Sequence, residues 1–390
     1  MLIEMKLMLP ILVRIRRCFV VFVWKYPLPA SVRTELLLLV AIVAAIAGLV
    51  FKQSLLAAGQ AAALLGAAGL ILAIVFASMR VAHHAEILAA KVGDPYGTMI
   101  LTLSAVVVEV IILAIMMGKE SSPTLVRDTI YSAVMLDVNG ILGLAALLGG
   151  LKHGEQAYND DSSRTYCVMI LTAMGISMVV PEFVPEAKWH LYSAFTIVAM
   201  IMLYTLFLRM QVGVHSYFFS YSYPKRSMPR ENADADPEDE PLTASIVTLV
   251  LGVIVIGVLA EVMSALLTEG LKGSEAPPAI AAIVVAAISA SPEIMTAMRA
   301  ALANRMQAVV NIALGASLST VILTVPVMEA IALYTGQPFI MAMSPVQTVM
   351  IAITLIVAAI NLNDGETNAI EGMTHFVLFA TFVMLSVLGL

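Results

Sequence analysis

The sequence predicts an all-α polytopic membrane protein of about eleven transmembrane helices, and three observations predict it. Hydrophobic residues make up 61% of the 390-residue chain and charged residues only 12%, roughly half the charged share of a soluble protein. The mean hydropathy is +0.96. The apolar residues also gather into blocks of about 18 to 25, the length that crosses a hydrocarbon core of roughly 30 Å as a helix. A water-soluble globule could not hide that much apolar surface.

The blocks run near 34–51, 60–79, 97–118, 129–151, 166–184 and 190–210 and, after a polar insert, near 242–267, 278–300, 308–334, 346–362 and 372–390. The segment from Leu7 to Trp24 carries Arg14, Arg16 and Arg17 and reads as an interfacial anchoring arm. No small-residue cleavage site is clear, so the chain is expected to begin near Met1. Lys and Arg accumulate in cytoplasmic loops. With the N-terminus cytoplasmic, only Lys52, Lys119, Arg127, Lys188 and Lys272 of the 21 basic residues fall outside. The C-terminus then lies outside as well.

This gives an N-terminal arm and leading helix over 1–54, a first five-helix unit over 55–214, a cytoplasmic acidic linker over 215–241 and a second five-helix unit over 242–390. Two five-span units joined end to end lie in opposite orientations, the inverted-repeat architecture of many secondary transporters. The linker holds Glu231, Asp234, Asp236, Glu238, Asp239 and Glu240 without the glycine of an EF-hand loop, and reads as a solvated connection.

Several classes are excluded. Cys18 and Cys167 lie too far apart in sequence for a CxxC site, and two cysteines make no disulfide framework. The net charge of -6 opposes nucleic-acid binding. No Walker A motif occurs, and His83, His84 and Glu86 lack zincin spacing. No nucleophile and base pair at helical spacing, so neither an enzyme nor a resident cofactor is expected.

Candidate functional residues follow from cost. An ionised side chain at mid-bilayer costs about 2.5 to 3.5 kcal/mol on insertion scales, so each one calls for a partner or a task. Glu109 sits near the middle of the third span and Glu293 in the eighth, directly after Pro292. That proline lacks an N–H and opposes the carbonyl of Ile288, which predicts a kink or break just before the acid. Ser289 and Ser291 flank the break. The neighbouring spans add Ser132, Asp137 and Asn139 in the fourth, and Asn311, Ser317, Ser319 and Thr320 in the ninth. Carboxylate, carbonyl and hydroxyl oxygens form a hard-cation ligand set. From these residues we expect Glu109 and Glu293 to bind the cation or proton, with Ser289, Ser291, Asn139, Asn311 and Ser317 as supporting ligands. Glu86, just past the inner end of the second span, and Glu261, toward the outer end of the seventh, are the candidate flanking relays.

The stretch from His84, Ala85 and Glu86 through Gly93, Asp94 and Gly97 to Glu109 resembles the cation/proton exchanger branch of the Ca²⁺/cation antiporter superfamily. So does the run from Ser291, Pro292 and Glu293 through Asn304 and Arg305 to Asn311, Gly315 and Ser317. The likeness is nearest to the bacterial calcium (sodium, potassium)/proton antiporters and covers essentially the whole chain. It implies an eleven-span inner-membrane antiporter with two inverted repeats, whose central acids match Glu109 and Glu293 and whose flanking acids match Glu86 and Glu261. The sequence departs from the plant and fungal members, which place Gly-Asn ahead of each central acid; here those places read Ala105-Val106 and Ser289-Ala290.

The expected chemistry is competition. Two carboxylates brought together in a poorly solvated site repel, so they hold a proton or a cation. Alternating access converts that competition into export of Ca²⁺, or of Na⁺ or K⁺, against entering H⁺. The substrates and the lipid bilayer are the expected partners, and the oligomeric state stays open. A cation channel with an acid-lined pore is the competing reading.

Overall fold

The computed structural model describes residues 35–92, 96–118, 122–213, 216–219, 242–272, 278–337 and 339–390. The expected N-terminal arm and nearly all of the acidic linker lie outside the described residues. The rest is almost wholly helical: α1 (Leu36–Ala57), α2 (Gln60–Val92), α3 (Tyr96–Met117), α4 (Leu125–His153), α5 (Asp160–Phe183), α6 (Trp189–Val212), α7 (Leu242–Leu271), α8 (Pro278–Ser289), α9 (Ser291–Leu302), α10 (Met306–Thr335), α11 (Pro345–Asn361) and α12 (Ala369–Val387). Among the described residues, eight helices are long and apolar enough to cross a membrane, and α8 with α9 makes a ninth, bent by 56° at the break. The Leu103–Met117 stretch of α3 and the 17-residue α11 are apolar but shorter. A count of eleven takes both as spans.

The second span runs well beyond its expected end at 79. The His83 to Leu88 stretch contains no helix breaker, so α2 continues to Val92, just before Gly93, Asp94 and Pro95. Glu86 therefore stands on a helix and not in a loop beyond it. The break in the eighth span falls where the sequence puts it, between Ser289 and Ser291.

Contacts sort the helix ends into two groups. At one end, Lys152 and His153 bond the Leu302 carbonyl, Gln156 bonds Ala301 and Asn304, and Arg164 bonds Asn363. A two-residue antiparallel ladder of β1 (Gln156–Ala157) and β2 (Glu366–Thr367) closes the same end. At the other, Gln60 bonds the Lys272 carbonyl, Lys52 meets Glu261 and Arg127 bonds the Ala342 carbonyl. These are the groupings that the basic-residue pattern assigns to inside and outside.

Small residues let helices approach where lipid supplies no hydrophobic drive between them. A Cβ on Gly372 of α12 would stand 2.2 Å from the Leu147 nitrogen, and one on Gly143 of α4 would stand 2.8 Å from the Phe376 nitrogen. In the same way Gly252 of α7 makes room for Val81 of α2. The leading helix is fastened to α2 by Glu35, which contacts Arg80 at 2.5 Å and His84 at 3.0 Å. Burial alone would raise the Glu35 pKa, but Arg80 and His84 outweigh it and hold the carboxyl below its usual range.

Candidate functional site

Besides the broken α8–α9 span, three spans among the described residues contain a π-helical turn, and two of these turns carry polar residues beside the buried acids. In α4 residues Leu136–Ile141 form a π-helical turn, and in α10 residues Thr320–Thr324 form another. A π turn holds one extra residue per turn, so it shifts the register of the side chains that follow and often marks a functional site. In α10 it stacks Thr320 and Thr324 on one face. Both hydroxyls donate to Glu109 Oε2, at 3.0 and 3.1 Å. Glu109 is only 4% exposed, and its Oε1 has no hydrogen-bond partner.

In α4 two polar residues of the π turn, two positions apart, point opposite ways, as residues at that spacing do on a helix. Asp137 points toward α10, where Ser317 donates to its Oδ2 at 3.1 Å, and its Oδ1 has no partner. Asn139 points away. Its amide donates to Thr354 of α11 at 2.7 Å and its oxygen meets His375 Nδ1 of α12 at 2.9 Å. Both ends of Asn139 are thus engaged in fixing α4 against α11 and α12.

Glu293 lies in the first turn of α9, where the positive end of the helix dipole favours a carboxylate. Its own backbone N–H bonds the carboxylate, while the buried Oε2 has no partner. Asp137 lies within electrostatic range of both Glu293 and Glu109, and Glu293 within range of Glu109 and Glu86. Carboxylates on α3, α4 and α9 thus lie within electrostatic range of one another, each with one buried oxygen that has no hydrogen-bond partner. Among the described residues, no group of three His, Cys, Asp or Glu side chains is arranged to hold a metal ion.

The remaining sequence candidates divide. Ser317 is at the cluster. Ser291 donates to the Ile288 carbonyl, which Pro292 leaves without its helical N–H, whereas Ser289 donates to the Val285 and Ala286 carbonyls of its own helix. Asn311 accepts from Gln307 and donates to the Phe219 carbonyl, which ties α10 to the segment after α6. Glu86 is exposed on α2 and lies within electrostatic range of Arg299 and Glu293. Glu261 is exposed on α7, 3.6 Å from Lys52. Two residues were not foreseen: Thr324, whose signal was its four-residue spacing from Thr320, and Glu329, buried to 2% exposure near the far end of α10.

An all-helical membrane bundle with a broken helix and buried, underbonded acids at its centre has the construction of a secondary transporter. The chain belongs to the sodium/calcium exchanger protein family, which it matches over residues 61–213 and 244–388. It is 34% identical to the putative ionic transporter y4hA of Sinorhizobium fredii over 83% of this chain and 88% of that protein. It is 32% identical to the sodium-potassium/proton antiporter ChaA of Escherichia coli, over 80% of this chain and 86% of that one. In fold it resembles native YfkE, with a TM-score of 0.72 at 17% identity over 90% of this chain and 99% of that chain. It also resembles the H⁺/Ca²⁺ exchanger CAX, with a TM-score of 0.62 at 15% identity over 83% and 82%. The two separately matched stretches fall on either side of the acidic insert.

Proposed function

We propose that the protein is a secondary antiporter that exports a hard cation, Ca²⁺ or alternatively Na⁺ or K⁺, in exchange for entering H⁺, by alternating access in a bacterial inner membrane with the N-terminus cytoplasmic. The observation that carries this reading is the convergence of Glu109 Oε1, Asp137 Oδ1 and Glu293 Oε2, all buried and all without a hydrogen-bond donor. Buried carboxylate oxygens in that state need a proton or a metal cation to satisfy them. Oxygen donors suit alkali and alkaline-earth ions. The names of the relatives point the same way.

The residues divide the work. Thr320 and Thr324 fix Glu109 Oε2, which leaves Oε1 as the ligand or proton acceptor. Ser317 does the same for Asp137. Glu293 reaches the cluster from the broken helix. When a cation enters, its charge replaces that of bound protons, and the protons leave; when protons return on the other side, the carboxylates become neutral and release the cation. One set of oxygens cannot hold both guests fully, so the two fluxes are coupled.

Cation-dependent proton movement in everted vesicles or proteoliposomes, with Ca²⁺, Na⁺ and K⁺ offered in turn, tests the reading. Glu109→Gln and Glu293→Gln should each abolish it in protein that still folds. Wild-type exchange in both variants overturns the assignment, and conductance in a planar bilayer without counter-transport would establish the channel instead.

A further inference from the structure

Away from the carboxylate cluster, a second buried acid faces a pocket. Glu329 lies near the end of α10 that the basic-residue pattern makes external, and it is 2% exposed. The Ser193 hydroxyl on the first turns of α6 bonds its carboxylate, while Oε2 has no partner and no described cation is paired with it. Trp189, Tyr192 and Ser193 of α6, with Phe339 and Met341 from the connection before α11, complete the pocket that Glu329 lines.

The hydrogen-bond donors of the wall are engaged elsewhere. The Trp189 indole N–H is engaged by the Val184 carbonyl at 2.9 Å, and the Tyr192 hydroxyl donates to the Ile176 carbonyl at 2.8 Å. The Ile340 N–H bonds the Pro123 carbonyl. Trp189, Tyr192 and Phe339 then contribute ring surface to the lining. Ca²⁺ takes six to eight oxygens, whereas the lining side chains offer one carboxylate, the Ser193 hydroxyl and the rings of Trp189, Tyr192 and Phe339. A buried carboxylate beside aromatic faces is the chemistry that recognises an organic cation, whose charge is spread over a weakly hydrated body.

We propose that this pocket binds a monovalent organic cation of the alkylguanidinium or alkylammonium class, with Glu329 as its counter-charge and Trp189, Tyr192 and Phe339 as its aromatic wall. The site is separate from the exchange cluster. It stands whether or not the exchange reading does, because binding is read without transport. Its occupant would also bridge α6 to α10, the helix whose Thr320 and Thr324 hold Glu109, so occupancy should slow exchange without competing for the cluster.

The chain has two tryptophans, Trp24 and Trp189, so a full-length protein carrying Trp24→Phe reports on this pocket alone. Methylguanidinium chloride titrated at constant ionic strength should change Trp189 fluorescence saturably, and NaCl and CaCl₂ should not. Glu329→Gln should weaken the apparent affinity roughly tenfold or more, and Phe339→Leu several-fold. A titration unchanged in Glu329→Gln, or no saturable change in the parent, overturns the proposal. Should Glu329→Gln fail to fold, unchanged affinity in Phe339→Leu overturns it equally. The same saturable response to Ca²⁺ would make this a metal site and refute the organic-cation assignment.

Discussion

Glu109 and Glu293 are the same residue type, each in an acid-bearing span of its own half of the chain, yet their surroundings differ. Glu109 stands on an uninterrupted helix and is clamped from outside by two hydroxyls of α10. Glu293 stands at the start of α9, beyond a 56° bend, and is half-buried, with its own backbone as donor. One acid is fixed by a neighbouring helix; the other is carried by the element that can move. In an alternating-access cycle, a fixed ligand and a hinged ligand allow the site to open without being dismantled.

Shortening each acid by one methylene separates the two roles. Glu109→Asp draws the carboxylate back from Thr320 and Thr324, which cannot follow because α10 is packed in the core, and exchange should fall on the order of 100-fold. Glu293→Asp sits on a helix start whose backbone can adjust, and its loss should be about tenfold. Initial rates of cation-driven proton movement in everted vesicles measure both. Equal losses would break the distinction between clamped and hinged acids.

The hydroxyls around the two acids should differ in the same direction. Thr320→Val or Thr324→Val removes a hydrogen bond to a charged group, which is typically worth 1.5 to 3 kcal/mol, so apparent cation affinity should drop about tenfold or more for each. Ser289→Ala and Ser291→Ala remove hydroxyls that bond only backbone of the broken span itself, and affinity should change by less than about threefold. Larger effects at the serines than at the threonines would mean that the serines turn into the site during the cycle.

Why the threonines were only half legible in the sequence is a matter of register. Binary hydropathy gave the helices, and Pro292 gave the break, because both depend on local composition and backbone chemistry. Glu109 and Glu293 were visible because charge is scarce in apolar blocks. A π turn, however, has no composition of its own: it depends on tertiary packing. The two-residue spacing of Asp137 and Asn139 already puts them on opposite faces, but which face meets α10 depends on packing, and the structure turns Asp137 to Ser317 and Asn139 to Thr354 and His375. Gln307, four residues before Asn311 on the same helix, is a partner that local spacing offers, whereas nothing local reveals that the Asn311 amide donates to the Phe219 carbonyl.

The bend itself can be weakened. Pro292→Ala restores the missing N–H and removes the ring that opposes the preceding turn, so α8 can run on into α9 with less bend. The clamped acid would be untouched and the hinged one displaced. Turnover should fall about fivefold, while folding, followed by thermal unfolding in detergent, should hold or improve. A variant with normal turnover would show that the bend is not used in the cycle.

The smallest expected effects concern Glu86 and Glu261, two acids that the sequence treats as a pair and the structure treats differently. Glu86 lies within electrostatic range of Glu293 and Arg299, so its charge adds to the field that draws a cation toward the hinged acid. Glu261 is about half exposed and already faces Lys52 at 3.6 Å, and an exposed ion pair of that kind contributes about 0 to 1 kcal/mol. Glu86→Gln should weaken apparent cation affinity about threefold at low ionic strength, and the difference should shrink as salt screens the field. Glu261→Gln should change it by less than about twofold at any salt concentration. Rates at two ionic strengths separate the cases, because a field effect is screened and the loss of a direct ligand is not. A salt-independent loss in Glu86→Gln would make Glu86 a direct ligand of the cation, and a loss in Glu261→Gln as large as that in Glu86→Gln would restore the two as equivalent relays.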